Sequence, residues 1–263
     1  MWSEDKKGLI DAIEGLEDGN AISMGQCGSI FSLSGLRIGI DVIVSDLYYK
    51  GTDISRRRVP PPFSVPECPR LDYLLVTHDH LDHFDSQLAA ELAAKGTRIV
   101  APKHILDSLD IDSVSKAYIA NNRMLSIGDV SIEAIPVCHM EYEDSEPGYS
   151  RYYGYAIRWK GMKLFHGGDT LSCDRLIADA SGSDYLFLPI NGRDEERLSK
   201  GIIGNMDIDE AIDAAIASSS RVLVPTHFDF FKENGADISL FAERAEGRIG
   251  YVIPRPGEVF RLS

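Results

Sequence analysis

Residues 3–18 place Leu9, Ile10, Ile13 and Leu16 three and four apart, the spacing of one buried helix face, and Gly19 stands where such a helix would stop. Short β-like runs follow at 21–24, 29–33 and 37–44. Residues 50–70 break the pattern. They carry Arg56-Arg57-Arg58 and Pro60-Pro61-Pro62 and read as an ordered loop rather than a linker, because an apolar run resumes at once in Leu71-Asp72-Tyr73-Leu74-Leu75-Val76. Further on, 84–95 reads as a helix stopped by Gly96, 98–101 as a short strand, and 102–109 as a helix with Pro102 in its first turn. Residues 130–137 form a strand pattern, and 152–159 with 162–165 a hairpin around Lys160-Gly161. Then come a helix at 172–180, a buried strand at 185–189 and a loop at 190–206. Asp207 and Glu210 have capping-box spacing and open a helix to about 218. A strand at 221–225, a helix at 238–246 and two terminal strands complete the chain. Many strands with irregularly interspersed helices, and no internal repeat, predict an α/β fold of two sheets covered by outer helices.

Composition narrows the class. The 263 residues are 44% hydrophobic and 26% charged, ordinary globular values, and long enough for a substantial core. A net charge of −14 argues against a nucleic-acid binder, which needs a basic surface. Cys27, Cys68, Cys138 and Cys173 are scattered and form no C-x-x-C, so neither a disulfide framework nor a thiolate zinc site is expected. Cys138 reads as a small buried core residue. There is no signal-like stretch and no run of about 18 apolar residues. The expectation is a soluble, cytoplasmic protein with no membrane partner.

The chemistry concentrates in Thr77-His78-Asp79-His80-Leu81-Asp82-His83. Three of the seven histidines fall within six residues, interleaved with aspartates. Imidazole and carboxylate are ligands for Zn²⁺, Mn²⁺ and Fe, and packing has no use for such a cluster. In an extended stretch His78 and His80 share a face, and a turn near Leu81 brings Asp82 and His83 to a second position close by. The pattern suits two adjacent cations. Three more polar residues follow strand-like runs: His139; Asp169 in His166-Gly167-Gly168-Asp169-Thr170; and His227 in Pro225-Thr226-His227-Phe228-Asp229. Strand ends emerging on one sheet edge would converge them, and the two glycines would let backbone approach closely.

His78-x-His80-x-Asp82-His83, followed in order by His139, Gly168-Asp169 and His227, resembles the metallo-β-lactamase superfamily. The resemblance implies a single domain over residues 1–263 with a four-layer αββα sandwich. It implies that His78, His80 and His139 hold a first metal, that Asp82, His83 and His227 hold a second, and that Asp169 bridges them. Gly25 to Asp41, a glycine-led hairpin ending in Ile40-Asp41, also looks like the superfamily's opening. Pro189-Ile190-Asn191-Gly192-Arg193-Asp194, Gly204-Asn205-Met206 and Pro225-Thr226-His227-Phe228-Asp229 resemble its L-ascorbate-6-phosphate lactonase branch. That branch implies a Mn²⁺-dependent cytoplasmic homo-oligomer hydrolysing a phosphorylated sugar-acid lactone.

A bound divalent cation lowers the pKa of its water from 15.7 to about 7 and polarises the group under attack. Two such ions, less two aspartates and one hydroxide, leave the centre at about +1, which attracts a small anionic substrate. Asp82 and Asp169 are the candidate catalytic residues, Asp82 doubling as proton shuttle. Asn191, Arg193 and Asn205 are candidate substrate contacts, or else stabilise a long loop. Asp79 faces outward or fixes a ligand imidazole, His166 is a supporting partner or a packed strand residue, and Asp229 orients His227 or nothing. His104 is placed on an exposed helix turn, Tyr152 and Tyr153 in sheet packing, and the three arginines on a solvated patch or against substrate. Ligand types leave Zn²⁺, Mn²⁺ and Fe²⁺ open. A nucleotide or RNA phosphodiesterase and a non-catalytic metal- or ligand-binding module are the alternative readings.

Overall fold

The computed structural model describes residues 6–46 and 57–263. Arg56, and the first residues of both the 3–18 helix and the 50–70 loop, lie outside them. A first sheet starts as an antiparallel meander of β1 (Asn20–Gly25), β2 (Gly28–Leu33) and β3 (Leu36–Ile40). It continues in parallel through β4 (Tyr73–Leu75), β5 (Arg98–Val100) and β6 (Lys116–Ala117). The second sheet repeats this plan. β7 (Arg123–Ile127) and β8 (Val130–Pro136) are followed by a side ribbon, β9 (Asp144–Glu146) with β10 (Tyr149–Ser150). β11 (Tyr153–Trp159) and β12 (Met162–His166) complete the antiparallel half, and β13 (Tyr185–Pro189), β14 (Val222–Thr226) and β15 (Gly250–Tyr251) run parallel. β16 (Val259–Arg261) returns to pair with β1.

The sheets stack through Phe31, Ile38, Ile40 and Leu75 on one side and Tyr153, Tyr155, Ile157 and Phe187 on the other; Phe31 meets Phe187 edge-on at 5.6 Å. The outer face of the first sheet is covered by α1 (Lys6–Glu14), α2 (Ser86–Ala94) and α3 (Lys103–Ser108). α4 (Asp174–Ala180) covers the second, α5 (Glu195–Ser199) lies in the loop after β13, and α6 (Ile208–Ala217) and α7 (Ile238–Ala245) complete the outer layer. The order is αββα, the architecture the sequence led us to expect. Strands covered on both faces are apolar throughout, as in Tyr185–Pro189, every residue of which is buried. Among the described residues no helix is long and apolar enough to cross a membrane.

Local differences have local causes. The first helix ends at Glu14, and Gly19 (φ +83°) instead seats β1, donating to Ser32 and accepting from Leu262. Pro102 caps α3 rather than entering it. The 37–44 run leaves the sheet at Ile40 because Asp41 turns left-handed (φ +46°). The missed β7 alternates exposed and half-buried positions, so it has no apolar run to read. α5, capped by Asp194, sits inside what reads as a loop. The 160–161 turn has both residues at positive φ, as a two-residue hairpin demands.

Candidate metal centre

Strand direction assembles the site. β3, β4, β8, β12 and β14 all end at one edge of the sandwich, where the chain leaves them as Asp41, the 78–83 segment, His139, Asp169 and His227. The two sheets are tied there by Tyr153 N–H to Thr77 O (3.0 Å), Tyr155 Oη to Val76 O (2.8 Å) and His227 N–H to Gln26 O (2.9 Å). Gly168 has φ +59°, and a Cβ on it would lie 2.8 Å from the Thr77 side chain, so the expected close approach of backbone is real.

All seven expected ligands meet. His78, His80, His139 and Asp169 form one group and Asp82, His83 and His227 another, with ligand atoms within 4.8 Å of each other in each. Asp169 faces both. Its Oδ2 lies 4.0 Å from His78 Nε2, 3.9 Å from His139 Nε2 and 3.4 Å from His227 Nε2, and its Oδ1 lies 3.2 Å from His83 Nε2. His78 Nε2, His83 Nε2, both nitrogens of His139 and Asp169 Oδ1 are buried with no hydrogen-bond partner. Each unpaired buried polar atom costs about 1–3 kcal/mol. Imidazole nitrogens and carboxylate oxygens converging in this way fit a borderline divalent cation.

Asp41 sets the imidazoles. It is 1% exposed and accepts from Thr77 N–H (Oδ1, 2.8 Å), Thr77 Oγ1 (Oδ2, 2.7 Å) and His83 Nδ1 (Oδ2, 2.8 Å). The single hydroxyl proton of Thr77 goes to Asp41, so Thr77 Oγ1 accepts from His78 Nδ1 at 3.0 Å. With a cation in place both histidines would carry their one proton on Nδ1 and turn Nε2 to it, one in each group. The sequence showed Asp41 only as part of an opening motif. Gln26 (φ +52°), Asp41 (φ +46°) and His227 (φ +61°) share left-handed backbone, an outlay of about 1–2 kcal/mol each for non-glycine residues.

Burial would push the Asp82 and Asp169 carboxyls up, but the imidazoles of His83 and His227 hold both well below the usual carboxylate range. The pairing acts in reverse on its partners. Burial opposes charge on His83 and His227, yet Asp169 and Asp82 keep His83 well above its ordinary value and His227 at about 9. Burial drives His78 well down and His139 down to about 4. Three buried carboxylates, Asp41, Asp82 and Asp169, demand positive charge, and protons or divalent cations are alternative sources of it.

The other expectations divide. Asp79 turns from the cluster to His104 (3.4 Å) and Arg151 (3.3 Å), which hold its carboxyl at about 2, so His104 is a half-buried anchor rather than an exposed turn residue. His166 is packed on Phe187 and hydrogen-bonded to Cys27 O and Gly168 N–H, supporting the glycine turn. Asp229 accepts from Gln26 N–H at 2.7 Å, so it anchors that turn. Tyr152 is more than sheet packing: its ring lies 5.2, 5.7 and 6.5 Å from those of His139, His78 and His80. Arg57 is buried rather than solvated; it stacks on Phe230 at 4.0 Å and donates to the carbonyls of Ile43, Ser45 and Val59 beyond the end of β3. Cys138 is half-buried, while Cys27 lies beside His83 and Asp169, its thiol kept protonated by burial and by the neighbouring carboxylates.

Asn205 donates to Asn191 (3.1 Å), and Asn191 to Asn234 (2.7 Å), a buried amide chain. Arg193 makes a two-pronged pair with Glu210 and caps Asn205 O. Asn191 and Arg193 nevertheless line a cavity of about 820 Å³ that Phe228, the residue after His227, also lines; neither Asn205 nor any of the seven ligands lines it.

A two-sheet sandwich with a histidine–aspartate cluster at the strand ends defines a metal-centre protein of the metallo-β-lactamase fold. Residues 37–228 match the family model described as a beta-lactamase superfamily domain, and the chain belongs to that family. A relative from Thermofilum pendens, named a metal-dependent hydrolase, is 28% identical over 229 residues, 81% of this chain and 92% of that protein. Among solved structures, Igni18, a metallo hydrolase from Ignicoccus hospitalis, superposes with a TM-score of 0.68 at 21% identity, covering 93% of this chain and 99% of that one. CmlA, a diiron beta-hydroxylase from Streptomyces venezuelae, gives 0.66 at 16% identity, covering 94% and 55%. At these identities the two structures establish the fold alone; between them that fold carries hydrolysis and oxygen chemistry, so the reaction must be argued from the site.

Proposed function

We propose that this chain is a dinuclear metal-dependent hydrolase acting on a small anionic ester or lactone, with phosphorylated sugar-acid lactones as the substrate class. The observation that carries the reading is the convergence of seven imidazole and carboxylate side chains into two adjoining groups sharing Asp169, with buried Nε2 atoms left bare. His78, His80 and His139 would hold one ion, Asp82, His83 and His227 the other, and Asp169 both. Divalent cations there supply an acidified water and polarise the substrate oxygen.

The residues do the rest. Asp82, 3.3 Å from His227 Nε2, is the carboxylate this reading assigns to receive a proton during turnover. Asp41 corrects the charge count made from sequence: two divalent ions against three buried carboxylates leave about +1 before any hydroxide is counted. Attraction of an anion then depends on the rim. Arg58 and Lys232 line the cavity next to His227, and no carboxylate among the described residues pairs with either. Arg193, Arg197 and Arg244 on the same wall are paired with Glu210, Asp194 and Asp209.

Elemental analysis coupled to a hydrolysis panel of lactones, phosphosugar esters and phosphodiesters tests the reading, repeated for His80→Ala. The expected result is two divalent ions per chain, lactone or ester turnover, and loss of both in the variant. A His80→Ala protein that keeps its ions and its rate refutes the site. Tight ions with no hydrolysis of any substrate returns the chain to a non-catalytic binding module. Asp82→Ala retaining full turnover with both ions bound removes the proton role.

A further inference from the structure

The turn between β1 and β2 delivers a carboxamide to the second group of ligands. Gln26, 4% exposed, sits at its tip with left-handed backbone. Its main chain is pinned on both sides: the N–H donates to Asp229 Oδ1 at 2.7 Å, and the carbonyl accepts from His227 N–H at 2.9 Å. The preceding Gly25 (φ +78°) tolerates nothing larger, because a Cβ would lie 2.4 Å from the Phe230 ring. Two strained residues, a steric requirement for glycine and a half-buried aspartate thus fix where this one side chain goes.

Its amide has one clear bond. Nε2 donates to Asp82 Oδ2 at 2.7 Å. The same nitrogen is 3.2 Å from Nδ1 and 3.1 Å from Nε2 of His227. Near-equal distances to both ring nitrogens place it over the ring face, out of line with either in-plane lone pair, so the imidazole contact is packing and the hydrogen bond belongs to Asp82. The amide orientation follows, since the reverse would set Oε1 against the Asp82 carboxylate. Oε1, on the same amide as the Nε2 that meets Asp82, is then buried with no donor. Amide oxygens are ligands that hard divalent cations accept. Asp82, His83 and His227 by themselves supply one oxygen and two nitrogens.

Resting on the metal-centre reading above, we propose that Gln26 belongs to the second cation site, where its Nε2 orients Asp82 and its Oε1 gives the ion a neutral oxygen. The added oxygen biases that site toward Mn²⁺ over Zn²⁺ without altering the charge count.

Titration of the metal-free full chain with Mn²⁺ and, separately, Zn²⁺ tests this, read by calorimetry and by the exchange-coupled electron paramagnetic resonance signal of a Mn²⁺ pair. Wild type should show two Mn²⁺ sites. In Gln26→Leu the second should weaken by about 10–100-fold, the range for losing a ligand-orienting partner, with the first within about twofold and Zn²⁺ less affected. A second-site Mn²⁺ affinity in Gln26→Leu within twofold of wild type overturns the inference and leaves the metal centre standing. Wild type binding fewer than two ions overturns both. Should Gln26→Leu fail to fold, Gln26→Met decides: it removes both the Nε2 donor and Oε1 at similar length, so it should show a smaller Mn²⁺-induced rise in Tm than wild type, and an equal or larger rise overturns the inference.

Discussion

Replacing Asp41 by Asn tests the tautomer argument at its source. Asn keeps the shape and tolerates the left-handed backbone at φ +46°. Its Oδ1 still accepts from Thr77 N–H, an existing 2.8 Å bond. Its Nδ2 takes the place of Oδ2, which accepts from both Thr77 Oγ1 (2.7 Å) and His83 Nδ1 (2.8 Å). The hydroxyl can rotate and accept instead. The imidazole can only turn away or move its proton to Nε2, the atom that should face the cation. Losing one charge-assisted bond costs about 1.5–3 kcal/mol of metal-free stability. At roughly 2–4 °C per kcal/mol for a chain approaching this size, Tm should fall by roughly 3–12 °C. Loss of an outer partner weakens cation affinity by about 10–100-fold, or roughly 1.4–2.7 kcal/mol. Thermal unfolding of the metal-free protein and calorimetric Mn²⁺ titration measure the two effects. An Asp41→Asn protein that melts within about 1 °C of wild type and binds both ions within twofold refutes the argument.

Gly168→Ala should displace Asp169, because its Cβ would meet Thr77 at 2.8 Å in a backbone at φ +59°; a loss of about 1–3 kcal/mol in denaturant unfolding and weaker binding of both ions is expected, and unchanged values would contradict it. Cation affinity should rise with pH up to about 9, because His227 holds its proton to that value and must give it up to ligate. Calorimetry in buffers of different ionisation heat should show proton release on binding at pH 7, and a pH-independent affinity with no release would refute this. The raised His227 pKa also stabilises the metal-free protein fully below about 6.5, an advantage lost as pH climbs through 9, so metal-free Tm should decline over that window. Arg58→Ala with Lys232→Ala should raise KM for an anionic substrate about tenfold while leaving kcat and ion content nearly intact; an unchanged KM would exclude the cavity as the anion's berth.

The ligand set was legible because its chemistry is dense in residue type: His78, His80, Asp82 and His83 fall within six positions, and His139, Asp169 and His227 each follow a strand-like apolar run. The layers were legible for a related reason. Strands buried on both faces, such as Tyr185–Pro189, leave continuous apolar runs, and Asp207 with Glu210 marks a helix start in four letters. β7 and α5 were not, since an exposed edge strand and a short capped helix on a loop bury too little to imprint a period. What only the tertiary structure decided is which polar side chains serve the centre from outside the motif. Asp41 and Gln26 lie 36 and 56 residues from Thr77 and Asp82, their bonding partners, and Tyr152, just before β11, brings its ring near three imidazoles. Arg193 was drawn off by Glu210 and Arg57 by three carbonyls for the same reason. A residue's type tells what it can bind, but a hydrogen bond forms only with whatever the fold sets about 3 Å away.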